Sequence, residues 1–382
     1  MKPTIRFSDM STGNRAAVLR LIREHGPVSR AALARTTGFT APSISRIADD
    51  LTGWDLICEE AGVAEAGPGR PPTLLRFDGE RQYAISASLF PDRQEVGLVD
   101  LTGQTLAQAA AKTGRATPAE AFDVLLQLVE EVRRQAPDAK RVRGVGLTVP
   151  GLVDSRRSVI RHSPPHGWQD VSVAGLLGSR IDLPVVVENW VSARALAERY
   201  FGGAKTVADF VYVHVSAGIG AAIMSGGRLR EGALYTSAEF GHLPLTMDGP
   251  LCRCGKRGCV EAYASLSILP LYAGMEGVDP ESVLVAAQEG NPAARTAVER
   301  AMRYLALGLT GLIHLLNPSQ IFLDGWPVAA GDLAMEPLRT AVKGRVLEGL
   351  GEAVTLLPTA LGRNPHLGGA ALILDEVLNL HI

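Results

Sequence analysis

The chain carries almost no net charge, few cysteines and no long uninterrupted apolar run, and each shortage excludes something. Lys and Arg total 38 against 40 Asp and Glu, a formal charge of −2. No global basic field advertises nucleic acid, so any DNA binding must come from a local motif. The longest apolar stretch, Leu305 to Leu316, is interrupted by Thr310 and His314. It is well short of the ~20 residues a membrane span needs. The N-terminus, MKPTIRFSDM, lacks the apolar core of a secretory signal, and the expected location is the cytoplasm. Of four cysteines, Cys252, Cys254 and Cys259 cluster in one short segment. In a cytosolic chain such a cluster suggests metal rather than disulfides. Cys58 stands alone in Leu56-Ile57-Cys58, where packing is the expected role. Apolar residues at 46% and charged residues at 20% suit a folded protein. At ~100–200 residues per domain, 382 residues imply two or three.

The first eighty residues are a candidate DNA-binding head. Val18, Leu21 and Ile22 put an apolar stripe on a first helix ending near Gly26. Ser29 is a natural N-cap for a short second helix carrying Ala31, Ala32 and Leu33. Gly38 gives a tight turn, and Thr40 can cap a third helix with Pro42 in its first turn. Ile44, Ile47, Ala48 and Leu51 follow i, i+3, i+4, i+7 spacing, so one face is buried. The opposite face carries Ser43, Ser45 and Arg46, which could reach bases or phosphates. This pattern predicts a helix-turn-helix whose third helix enters the major groove. Leu56–Cys58 and Leu74–Phe77 predict two strands flanking a Gly/Ala/Pro-rich wing, with Arg70 at its tip a candidate for the minor groove. A three-helix protein-docking or dimerisation module is the alternative, and the near-neutral charge of the segment favours it.

From about Gln82 the pattern becomes α/β. Tyr83 to Leu89 and Glu95 to Asp100, followed by Leu101-Thr102-Gly103-Gln104, predict a hairpin. Pro118 to Arg134 is an amphipathic helix, and Arg143 to Val149 a buried strand running into Pro150-Gly151. Val185 to Val187 is a further strand, and Ser192 to Phe201 a helix. Phe210 to Val215 and Ala221 to Met224 form a second hairpin across Gly218-Ile219-Gly220. Ala294 to Leu316 is a long helix, followed by the strand Ile321–Leu323. Two lobes with a cleft between them are expected.

His242, Cys252, Cys254 and Cys259 supply one imidazole and three thiolates, the closed tetrahedral set of a structural Zn²⁺ site. Gly255 and Gly258 let the chain turn around the ion, and Lys256 and Arg257 offset thiolate charge. Unliganded cysteines and a redox switch are the alternatives. A catalytic zinc is disfavoured because no coordination position stays open.

The run Glu239-Phe240-Gly241-His242, with Cys252-Arg-Cys254-Gly255-Lys-Arg-Gly258-Cys259-Val-Glu261, resembles the signature of the ROK family (repressors, open reading frames, kinases). Pro150-Gly151-Leu-Val-Asp154, Gly167-Trp168, Val187-Glu188-Asn189 and Gly218-Ile219-Gly220 with Gly226 agree with it. The resemblance spans nearly the whole chain, including the head carried by the repressor branch. It implies a winged helix-turn-helix over residues 1–80, then a two-lobed actin-like ATPase, sugar-kinase-like body. The smaller lobe would span 81–190 and the larger 191–382, with the C-terminal helix returning to the smaller. It implies sugar contacts at Asn189, Glu239, His242 and Glu261, whose amide and carboxylates suit hydroxyls that donate and accept. The metal would orient the His242 ring beside the ligand.

Departures from the kinase pattern bear on activity. The aspartate base of the kinases is replaced by Trp190, which cannot accept a proton. The phosphate loop becomes Ser86-Ala-Ser88-Leu-Phe90-Pro91-Asp92, with Ser88 in the metal-side aspartate slot. Paired glycines near the nucleotide become Leu323-Asp324-Gly325-Trp326, placing negative charge where ATP would sit. Only Ser216–Gly220 keeps the look of a phosphate loop. These losses argue against phosphoryl transfer. The expected protein is a sugar-responsive repressor, dimeric on two-fold operator DNA. The alternatives are a sugar kinase with an appended head, and a repressor governed by a protein partner. Trp190 could stack on a sugar face or plug the pocket.

Overall fold

A computed structural model describes residues 7–62, 73–114, 116–234, 238–350 and 354–381. It divides into two compact units: residues 1–149, 171–187 and 365–382, and residues 150–170 and 188–364.

The first unit opens with three helices, α1 (Phe7–His25), α2 (Arg30–Thr37) and α3 (Ala41–Gly53). Ser29 caps α2 by accepting from the Ala32 N–H at 3.2 Å. Gly38 closes α2 in the left-handed conformation. Thr40 caps α3 through the Ser43 N–H at 3.4 Å. Ile44, Ile47, Ala48 and Leu51 are buried with Val18, Leu19, Ile22 and Leu33, so the predicted stripe is the core of the head. Arg15 of α1 grips Asp50 of α3 with its Nε at 2.8 Å. Strands β2 (Ile57–Ala61) and β3 (Thr73–Phe77) pair antiparallel, Ile57 opposite Phe77 and Ala61 opposite Thr73. The predicted wing tip with Arg70 lies outside the described residues. A two-residue strand, β1 (Val28–Ser29), adds to β3; it is too short to carry any periodicity.

The head is bolted to the sheet and to the C-terminal helix of its own unit. The Trp54 carbonyl at the end of α3 accepts from Arg143 Nη2 at 2.8 Å, and the Asp55 carbonyl accepts from Gln82 Nε2 at 2.6 Å. Arg143 Nε donates to Gln82 Oε1 at 2.7 Å. Arg141 pairs with Asp55 at 3.1 Å. Arg20 of α1 donates to Asn379 in the C-terminal helix.

In chain order come β4 (Tyr83–Leu89), β5 (Arg93–Asp100), β6 (Thr105–Lys112), α4 (Pro118–Arg133), β7 (Val142–Val149), β8 (Leu152–Asp154), β9 (Val159–Ser163), β10 (Trp168–Ser172), α5 (Val173–Leu177), β11 (Val185–Asn189) and α6 (Trp190–Tyr200). One five-stranded sheet has the order β11-β7-β4-β5-β6, with β4 parallel to β7 and antiparallel to β5. Strand β6 is not expected from the sequence. Its Thr-Leu-Ala-Gln-Ala-Ala-Ala-Lys run favours helix by propensity. Pairing with β5 over Arg93–Lys112 to Val99–Thr105 overrides that, and its side chains alternate between half-buried and exposed.

The second unit adds β12 (Phe210–Val215), β13 (Ile219–Ser225), β14 (Arg228–Leu229), α7 (Val260–Ala264), α8 (Leu269–Ala273), α9 (Pro280–Gln288), α10 (Pro292–Leu316), β15 (Gln320–Gly325), α11 (Trp326–Ala329), α12 (Asp332–Lys343) and β16 (Thr355–Pro358). Its sheet runs β14-β13-β12-β15-β16. β12 lies antiparallel to β13 and parallel to β15. The core lies between this sheet and α10, whose Ala297, Ala301, Leu305 and Leu309 are wholly buried. The small sheet β10-β9-β8 is likewise unexpected, because its strands are short and polar on one side. The last helix, Leu367–Asn379, returns to the first unit.

Two boundaries differ from expectation in ways that matter for the site. Helix α6 begins at Trp190 rather than Ser192, because the Asn189 side chain caps it by accepting from the Val191 N–H at 2.7 Å and the Ser192 N–H at 3.2 Å. The turn between β12 and β13 is Ser216–Gly218. Ile219 and Gly220 already lie in β13, opposite Val215 and His214.

A metal corner and a filled corner: the candidate functional site

The metal motif folds as two back-to-back turns. The Cys252 N–H donates to the Lys256 carbonyl at 2.8 Å, and the Gly255 N–H to the Cys252 carbonyl at 2.9 Å. Gly258 sits at φ 74, where an added Cβ would meet the Thr246 carbonyl oxygen at 1.9 Å, so no side chain fits there. One ligand atom each from His242, Cys252, Cys254 and Cys259 falls within 4.8 Å of the others. Cys254 Sγ and Cys259 Sγ are 3.8 Å apart, and His242 Nδ1 is 3.6 Å from Cys252 Sγ. With metal–sulfur bonds of about 2.3 Å, a tetrahedron has sulfur–sulfur edges of roughly 3.8 Å. The four residues therefore fit a tetrahedral metal ion. Burial and the neighbouring thiols push the Cys259 thiol up to about 12. Only a cation at the centre would hold all three sulfurs as thiolates near neutral pH.

The carboxylates expected beside a sugar surround this motif. Glu261 in the first turn of α7 is buried. It accepts from the Ile219 N–H at 2.9 Å and from Arg253, whose Nε is 2.6 Å from Oε1 and whose Nη2 is 3.0 Å from Oε2. Glu239 immediately precedes the turn Phe240–His242 and is exposed. Partial desolvation raises its pKa, His242 lowers it and the Glu261 carboxylate raises it further. Glu239, His242 and Glu261 thus come together. Asn189 has a different set of partners: it caps α6, and its Nδ2 donates to the Gly151 carbonyl at 2.8 Å. Lys256 and Arg257 are exposed, and Arg257 donates to the Gly249 carbonyl at 3.2 Å. The paired cation of this corner is Arg253, which sequence reasoning missed although it lies between two ligands.

Glu188, also missed, is buried beside Asn189. Burial raises its carboxyl to about 7, against the lowering effect of the Ser155 hydroxyl and the Asn189 N–H. Ser155 Oγ donates to it at 2.5 Å.

A second corner of the same unit holds the positions that depart from the kinase pattern. Trp190 meets His214 edge-on with ring centroids 4.6 Å apart, and the Arg194 guanidinium lies 5.6 Å from the Trp190 ring centre. Asp324 accepts from Tyr212 OH at 2.6 Å and lies 3.3 Å from Arg194 Nη2 and 3.2 Å from His214 Nδ1. Burial alone would raise the Asp324 carboxyl. His214 first, then Arg194 and Tyr212, outweigh burial and hold it well below the usual range. Asp324 thus keeps its negative charge, and Arg194, buried one turn into α6, pairs with it. In the first unit, Ser88 is buried and hydrogen-bonded to Thr148 at 2.9 Å.

In the head, Ser43 and Arg46 line a recess of about 280 Å³ together with Asn14, Arg15, Phe39 and Thr40. Arg46 is exposed. The Ser45 carbonyl accepts from Arg30 at 3.3 Å.

Residues 92–376 match the model of the ROK family, and the chain belongs to that family. It is 28% identical over 371 residues to a xylose repressor of Bacillus subtilis (strain 168), an alignment covering 96% of each chain. It is 31% identical over 301 residues to a glucokinase of Streptomyces coelicolor, covering 73% of this chain and 93% of the glucokinase. A solved ROK family transcriptional regulator, described as a homolog of the E. coli MLC protein, superposes with a TM-score of 0.87. That match has 25% identity and covers 97% of both chains. The fold is an N-terminal helix-turn-helix followed by the sugar-kinase-like α/β body. No described helix is long and apolar enough to cross a membrane.

Proposed function

We propose that this chain is a DNA-binding transcription repressor of sugar uptake or metabolism genes, governed by a sugar bound to its body. One observation carries the proposal: a capped helix-turn-helix precedes a ROK body, and the whole length aligns with a xylose repressor over 96% of both chains. Residues 1–80 are the DNA-binding domain, and Ser43, Ser45, Arg46 and the wing residue Arg70 contact operator DNA. The lobes span 81–190 and 191–382. Asn189, Glu239, His242 and Glu261 hold the sugar. His242, Cys252, Cys254 and Cys259 bind a structural Zn²⁺, the ion that this donor set favours. The protein acts in the cytoplasm as a dimer whose two heads match a two-fold site. A sugar shifts DNA affinity only by binding the two states differently; a tenfold change needs about 1.4 kcal/mol.

Fluorescence anisotropy with the promoter regions of neighbouring sugar genes, at low salt and with a panel of sugars, tests this. Tight binding to one palindromic segment and release by one sugar are expected. Absence of binding to any promoter fragment would end the repressor reading. R46A should weaken operator binding by about 1–3 kcal/mol if Arg46 reads a base.

A second reading, an ATP-dependent sugar kinase with an appended head, is favoured by the 31% identity to a glucokinase. The filled corner opposes it: a tryptophan stands in the base position, and phosphoryl transfer depends on positioned charge. ADP release above background with any hexose would establish the kinase reading instead. Control by a protein partner would show as capture that sugar does not alter.

A further inference from the structure

We propose that Gln82 and Arg143 are positioning residues for DNA recognition. They fuse the end of α3, the helix carrying Ser43, Ser45 and Arg46, to the sheet of the first unit. The body then dictates the spacing of the two DNA-reading helices, and only operators of one half-site separation are bound tightly. This rests on the reading of the chain as a dimeric repressor. The observation behind it is a row of consecutive carbonyls just after α3. The last carbonyls of a helix find no partner inside it. Here the Trp54 carbonyl accepts from Arg143 Nη2 at 2.8 Å, the Asp55 carbonyl from Gln82 Nε2 at 2.6 Å, and the Leu56 carbonyl from the Asp78 N–H at 3.0 Å.

The two donors hold each other as well. Arg143 Nε donates to Gln82 Oε1 at 2.7 Å, and Gln82 is wholly buried. They meet because β4 and β7 run parallel, with Tyr83 opposite Val142. The guanidinium also sets a positive charge at the C-terminal end of α3, where the helix dipole is negative. Asp55 stands at φ 60, a left-handed conformation that few residues other than glycine adopt. Arg141 pairs with its carboxylate at 3.1 Å, so the chain reversal after α3 is itself pinned. The covalent link has no slack. Only residues 78–82 separate β3 of the head from β4 of the sheet. Asp78 and Gln82 within that link are buried, and a Cβ on Gly79 would meet the Phe77 ring at 2.8 Å. Elsewhere in the head, Arg20 of α1 donates to Asn379 of the C-terminal helix. A head on a flexible tether adapts to several half-site separations. One held at the end of α3, along its link and at α1 moves only with its sheet.

A spacer series on the full chain tests this by fluorescence anisotropy. The probes are the palindromic promoter fragment that wild type binds, the same fragment with one or two base pairs inserted or deleted at its centre, and a fragment with a single half-site. Each base pair changes the half-site separation by roughly 3.4 Å and the angle between half-sites by roughly 35°. Wild type should lose about tenfold or more in affinity when the spacer changes. R143M and Q82A should flatten that loss to about threefold or less and leave half-site affinity unchanged. R143K should fall between, because lysine keeps a donor for the Trp54 carbonyl. If R143M does not fold, Q82A and R143K carry the test. Wild type that binds every spacer alike would overturn the proposal while leaving the repressor reading intact, and so would variants as steep as wild type. A parallel fall in half-site affinity would overturn it by assigning both residues to the folding of the head. Absence of binding to any fragment would take down the repressor reading itself, and this proposal with it.

Discussion

Two corners of the second unit have gone opposite ways. In the metal corner, every group that the ROK signature brings is in place: four ligand atoms at tetrahedral spacing, a buried Glu261, and Glu239 beside it. In the corner formed by the ends of β12 and β15 and the start of α6, the side chains bind one another. Trp190, Arg194, Tyr212, His214 and Asp324 satisfy their charges internally. A site whose polar groups are already paired with one another offers little to a nucleotide. The two corners draw on separable sets of side chains, so one can change without the other.

The contrast between the corners should break most severely at the metal. C259S should abolish stoichiometric zinc by elemental analysis and lower stability by roughly 4 kcal/mol or more; a variant that melts like wild type would mean the cluster is not a folding element. Next is the ion pair of the filled corner. Arg194 is 3% exposed and Asp324 15%, so D324A leaves a buried cation without its counter-charge and should cost about 3 kcal/mol in urea denaturation. The double variant R194M/D324A should lose markedly less than the sum of the singles; additivity would show that the pair is not coupled.

Glu188, near the start of α6, adds a pH-dependent test. Its folded pKa of about 7 lies above the ordinary value of 4.5, so the folded state binds the proton more tightly than the unfolded state. By linkage, its contribution to stability is greatest below pH 4.5, falls as pH rises to about 7, and then levels off. The fall is roughly 3 kcal/mol. E188Q should flatten that part of the stability–pH curve, and an unchanged slope would remove Glu188 as its source. The smallest effect is expected of W190D, which returns a carboxylate to the base position. ADP release should stay at background, since Asp324, Arg194 and Ser88 remain. Turnover in W190D alone would show that one residue, not a filled corner, silenced the chemistry.

The head was legible because its signals are local. Ser29 and Thr40 each occupy the N-cap the sequence assigns them and Gly38 makes the expected turn, and an N-cap is satisfied by atoms within three residues. The metal set was legible because three ligands share one short loop. Strand β6 was not, since an alanine-rich run becomes a strand only when β5 offers it a ladder. Arg194 was invisible for a related reason: its partner Asp324 is far along the chain, and nothing in the α6 sequence says which strand end it will meet. Arg253 carried a faint signal, a cation between two metal ligands, but its bond to Glu261 depends on how the loop lies against α7.

Read along the chain, the residues already contain the inventory: a capped helix-turn-helix, a four-residue metal motif, an α/β body, and a tryptophan at position 190 where the resemblance implies the kinase base. These rest on groups close in the chain or on chemistry that a residue type cannot perform. Folding in three dimensions settles which of those groups are already spent. Arg253 saturates most of Glu261, Arg194 neutralises Asp324, and Arg143 with Gln82 bolts the end of α3 to the sheet. Each joins residues brought together by packing, and a side chain's remaining hydrogen-bonding capacity is set by the neighbours that folding delivers.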